Sequence, residues 1–232
     1  VAESAAGTTI TVQGEYSAWY PAERATVRAS VHIDGADRDR VFTRAVESSD
    51  AVRNLIESIH DKAAGPITWW SSDSVRVWSE RPWNNEGTQL RPVYHAALDL
   101  SAKFSEFDAL TRWVESAVEI DGVTISSIGW SLTESTRTTA TVEVRSRAVK
   151  DAVAKATVFA QSIGLGSVTA TALADPGMLG DPSGGGGGGM HSEFARGSMD
   201  SMMVGGHGGS ELQLKPEEIE VASAVDARFI AR

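Results

Sequence analysis

Cysteine is missing from this chain altogether. That excludes disulfides, zinc–thiolate sites, thiolate-held iron–sulfur clusters and thiol nucleophiles, and leaves the compartment open. Long apolar runs are missing too. None approaches the roughly 18 residues that a membrane-spanning helix needs, so no spanning segment is expected. Positive charge is in short supply: 21 Lys and Arg against 31 Asp and Glu give a net charge of −10. A broad electrostatic grip on nucleic acid is therefore not expected. Catalytic motifs are absent as well, with no G-x-S-x-G, Walker A, H-E-x-x-H or dinucleotide fingerprint. Residues 1–7 (VAESAAG) lack the basic and apolar regions of a secretory signal. The chain as written reads as cytoplasmic, or as periplasmic or secreted if a signal has been removed.

What is present is ordinary globular material, 232 residues with 41% hydrophobic and 22% charged content. Thr8–Tyr20 is rich in β-branched and aromatic residues and reads as a strand, with Gly14 at a bulge. Arg24–Asp34 alternates, with Ala25, Val27, Ala29, Val31 and Ile33 on one face. The period then becomes helical from about Ala36 to Lys62, with Asp37 or Asp50 as a cap. Ile67–Glu80 and Gln89–Phe104 read as a hairpin around the turn residues Asn84–Gly87. Ser105–Val118 is a second amphipathic helix, with Ser105 and Asp108 as its capping pair. Val123–Thr133 is a strand.

Residues 24–133 thus spell strand–helix–strand–strand–helix–strand, the split βαβ or ferredoxin-like order. A long helix follows, about Thr139–Ile163, with Ala140, Val144, Ala148, Ala152, Ala156, Phe159 and Ile163 as its apolar stripe. Gly164 and Gly166 follow a helix and precede a strand, which is the order of a helix cap and the reverse of a phosphate cradle. Val168–Ala174 and Glu218–Ala231 are further strands. The fold class is α+β, with antiparallel sheets and helices. It forms one domain over 8–231, or two packed subdomains of which about 24–133 is the first.

Three segments carry a family resemblance. The opening ITVQGEYSAWYPAERATVRASV resembles the I-x-V-x-G-x-G-x…P-D-x-A-x-V start of the SIMPL (DUF541) domain family. VEVRSRAVKDAVAKATVFAQSIGLGSV resembles its A-V-x-D-A-x-x-K-A-x-x-x-A-x-x-x-G segment, and KPEEIEVASAVDARFIA its P-G-x-I-x-V-x-A-x-V-x-V-x-F close. The chain departs at Tyr16, at Pro21-Ala22 and at Pro216-Glu217, all positions that touch turns. The resemblance implies a bacterial protein, often periplasmic or outer-membrane-associated, in a family where some members form ring-like homo-oligomers. It also implies links to oxidative stress and immunogenicity, with no agreed activity and no catalytic residues to carry over. The expectation is a non-enzymatic, self-assembling structural or stress-associated protein with no cofactor, whose partner is itself.

Two features lie outside that pattern. Between 177 and 210, inside the domain, sit 13 of the 22 glycines and all five methionines. Met190, His191, Met199, Met202, Met203 and His207 offer thioether and imidazole groups suited to a soft metal. The rival reading is a strap anchored by methionines and Phe194 on a neighbouring subunit, or a loop with no role. The second feature is tryptophan. Trp69, Trp70, Trp78 and Trp83 cluster on one hairpin, with Trp70 and Trp78 expected on one face and Trp69 on the other. Core plus oligomer contact is one reading, and a carbohydrate or peptide platform is the other. His32, His60 and His95 stand on separate elements and read as ordinary surface or core histidines.

Overall fold

The computed structural model describes residues 7–179 and 214–232. Within them the order is β1 (Thr8–Pro21), β2 (Arg24–Gly35), α1 (Arg38–Glu57), β3 (Ile67–Ser72), β4 (Arg76–Glu80), β5 (Val93–Phe104), α2 (Phe107–Val118), β6 (Val123–Ser131), α3 (Glu134–Ser162), β7 (Val168–Ala174) and β8 (Glu218–Ala231). Contacts divide the chain into two compact units. One holds residues 7–20, 134–179 and 220–232; the other holds 21–133 and 214–219.

The second unit is built on a sheet of order β3-β5-β2-β6, with β4 continuing along β5 beyond β3. This is the antiparallel arrangement that the split βαβ order demands. The alternation in β2 is the reason it can sit centrally: Ala25, Val27, Ala29, Val31 and Ile33 are all buried. They pair with the equally alternating β5, whose Ala96, Leu98, Leu100, Ala102 and Phe104 are buried. Helix α1 closes over that face with Val41, Ala45, Val52 and Ile56. Its start is fixed by Asp37, whose carboxylate accepts from the Arg40 N–H at 2.9 Å. Helix α2 adds Leu110, Trp113 and Val114, with the Trp113 ring 5.6 Å from Phe104. Each such side chain, fully buried, contributes roughly 1.5–3 kcal/mol.

Two sequence expectations change in this unit. The stretch 67–80 is not one strand, because the chain breaks at 73–75, where four residue steps (72 to 76) face three on β5 (100 to 97). The extra residue reverses the parity of everything after it. Ser105 does not cap α2. Glu106 holds the cap position without a side-chain bond, while the Ser105 hydroxyl donates to the Gly65 carbonyl at 2.9 Å.

The first unit is a three-stranded sheet, β1-β8-β7, packed on α3. The buried stripe of α3 is Ala140, Val144, Ala148, Ala152, Ala156 and Ala160. Phe159 and Ile163, expected in that stripe, are instead 54% and 58% exposed. The buried face keeps its four-residue step from Ala156 to Ala160, which leaves Phe159 and Ile163 outside it. A Cβ on Gly14 would stand 2.7 Å from the Ala152 Cβ and closer still to the Ala148 carbonyl oxygen. Gly14 is therefore where the strand backbone meets the helix, and only alanines fit opposite it. Ile10, Val12, Val225, Ala227 and Phe229 complete this core. The helix ends as expected, with Gly164 at φ +82°. The Gly164 N–H donates to Gln161 O and the Leu165 N–H to Ala160 O, a Schellman cap. Among the described residues, no helix is long and apolar enough to cross a membrane.

Candidate binding face on the five-stranded sheet

Both helices of the second unit pack on the face of the sheet that carries the hydrophobic core. On the opposite face, β2 presents Arg28, Ser30, His32 and Asp34, and β5 presents His95, Ala97, Asp99, Ser101 and Lys103. The register sets Asp34 and Trp78 on either side of His95, in one row across three strands. His32 lies diagonally one pair along, opposite Ala97.

Three rings meet there. The Trp78 indole stacks on His95 with centroids 5.3 Å apart and planes 21° from parallel. His32 lies 5.9 Å from Trp78 and 5.7 Å from His95. The His95 side chain is 14% exposed, and its Nε2 stands 3.6 Å from the Glu80 carboxylate, beyond hydrogen-bond reach. Both His95 ring nitrogens are buried without a protein hydrogen-bond partner. Nearby, Arg76 pairs with Asp99 at 3.0 Å, and the Lys103 ammonium sits 5.9 Å above the Trp69 ring.

The expected tryptophan cluster is thus re-sorted. Trp69 and Trp78 share the open face, 48% and 44% exposed. Trp70 turns inward onto the core, so the expectation that it shares a face with Trp78 is overturned by the extra residue at 73–75. Trp83 is 66% exposed on the loop after β4. That loop is held by Asn84, whose side-chain oxygen accepts from the Glu86 and Thr88 N–H groups at 3.1 and 2.7 Å. Phe194 and the six metal candidates Met190, His191, Met199, Met202, Met203 and His207 lie outside the described residues. His60 is exposed and bridges Ile67, away from the other two histidines. The His32–His95 meeting went unread in the sequence, because only strand pairing brings residues that far apart together.

Elsewhere, an open cleft of about 790 Å³ in the first unit is lined by Glu15, Tyr16, Ser17, Glu220 and Ser223. Titratable groups with shifted pKa have local causes. The Ala63 and Ala64 N–H groups hold Asp61 below the usual carboxylate range. The Lys155 ammonium, then the Glu15 N–H, do the same for Asp151. Among the described residues, no three imidazole or carboxylate groups converge into a closed metal site.

A family model described as "SIMPL: Protein of unknown function (DUF541)" matches residues 10–229. No curated protein matches the chain.

Proposed function

We propose that this chain, which belongs to the SIMPL (DUF541) family, acts without catalysis by assembling with copies of itself. The observation that carries this reading is the open sheet face, on which Trp69 and Trp78 stand half exposed at separate points along β5, opposite Lys103 and His95. Covering an indole of this exposure is worth roughly 2–3 kcal/mol. Sheet edges support the same reading. The terminal strands β6 (VTISSIGWS) and β7 (VTATALA) carry no charge and no proline. Edges usually carry such groups to prevent pairing with another chain.

The test is a Trp69→Ser/Trp78→Ser double variant followed by sedimentation velocity beside the parent. The reading expects the variant to shift toward monomer with its secondary structure intact. An unchanged distribution removes this face from the assembly. A second reading, a binding module at the tryptophan hairpin, is favoured by one specific observation, the ring cluster of His32, Trp78 and His95.

A further inference from the structure

We infer that His32 and His95 form a two-imidazole site for a borderline transition-metal dication of the copper(II) and zinc(II) class. Trp78 forms its wall. Neither ligand belongs to the Met/His segment singled out in the sequence.

Geometry comes first. The two imidazole centroids are 5.7 Å apart, on neighbouring antiparallel strands that fix both Cα positions. Metal–nitrogen bonds of about 2.0–2.1 Å place each ring centroid about 3 Å from a shared ion. Two rings bridged by one ion therefore need about the separation observed. Glu80 stands 3.6 Å from His95 Nε2, but no set of three imidazole or carboxylate ligands closes among the described residues, so the remaining coordination positions fall to water. Water ligands make a bound ion exchangeable.

Next is the state of His95. A buried ring nitrogen without a partner costs about 1–3 kcal/mol, and His95 has two such atoms. The Glu80 carboxylate, 3.6 Å from Nε2, is beyond hydrogen-bond reach and satisfies neither nitrogen. Coordination uses one nitrogen of each ring.

Charge and ligand type then select the ion. Asp34, opposite His95 in register, and Glu80, beside it, outweigh Arg76, whose charge is already paired with Asp99. This favours a cation over a phosphate or carboxylate ligand. Imidazole favours copper, nickel and zinc over magnesium and calcium, which prefer oxygen. The stacked indole shields the His95 nitrogens. Loading therefore requires the half-exposed Trp78 side chain, at the middle of the short strand β4, to move aside. The indole consequently reports on binding.

The inference does not rest on the assembly reading, whose failure appears in sedimentation and not here. The full chain is titrated with copper(II) while tryptophan emission is followed, beside Trp78→Phe, with circular dichroism checking each fold. We expect a saturable quench with a component that Trp78→Phe removes and zinc(II), but not magnesium, reverses. That component persists in His191→Ala/His207→Ala. It weakens at least about tenfold in affinity in His32→Ala and in His95→Gln, the second of which keeps a polar side chain. A Trp78-dependent quench unchanged in both of those variants overturns the inference, and so does the absence of any saturable quench.

Discussion

Trp78 and His95 lie directly opposite each other on β4 and β5, and their rings stack 5.3 Å apart on the solvent side of the sheet. Stacked pairs of this kind on neighbouring strands contribute about 0.5–1 kcal/mol beyond their area. A double-mutant cycle of Trp78→Ala and His95→Ala, read by thermal unfolding, should return a coupling of that size. Additivity within about 0.3 kcal/mol would mean that the rings adjoin without interacting.

Gly14 admits no side chain, because the backbone of α3 occupies the place of its Cβ. Gly14→Val should cost at least about 1–3 kcal/mol, the usual range for an overpacked core. Gly166→Ala is the control. Its Cβ meets nothing within 4 Å, and its stability should stay within about 0.5 kcal/mol of the parent. Urea unfolding of the two variants separates these outcomes.

Asp151 ties β1 to α3. Its carboxylate is 2.8 Å from the Lys155 ammonium and accepts from the Glu15 N–H at 2.9 Å. Both contacts hold its folded pKa below the ordinary 3.8. The ionised carboxylate thus stabilises the fold above the ordinary carboxylate range, and the contribution is lost as pH falls through the depressed folded value. Lys155, raised in turn by Asp151, contributes at neutral pH and loses its share only above the ordinary 10.5. Thermal unfolding of Asp151→Asn should therefore lie below the parent at pH 7, by a small margin for a solvent-facing pair. The two should converge as pH falls through the depressed folded value. A gap that persists there would assign the effect to something other than the charge.

Much of the second unit is written openly in its sequence. β2 alternates without interruption, and Gly35, Asn84–Gly87 and Gly122 mark the reversals of direction. The ferredoxin-like order follows from that punctuation. The break between β3 and β4 is not legible, because Ser71-Ser72-Asp73-Ser74 is polar on both faces. A slip by one residue there changes no hydrophobic pattern, yet it carries Trp78 to the other side of the sheet. In α3 the pattern misleads. Hydrophobicity selects Phe159 and Ile163, whereas the packed face keeps its four-residue step through Ala156 to Ala160. The ring cluster is least legible of all, since His32 and His95 acquire a relationship only through the β2–β5 register.

Trp69 and Trp78 give the assembly reading its residues. If the open face is the contact, changing both to serine should leave the fold intact and cost only their half-buried contacts, about 1–3 kcal/mol. A large loss of stability in the isolated variant would instead make them part of the fold.

Sedimentation velocity of the unaltered chain across the micromolar range decides self-association. A discrete species larger than the 24.6 kDa monomer is expected, with a population that grows as concentration rises. A single boundary at the monomer mass over that whole range would contradict it.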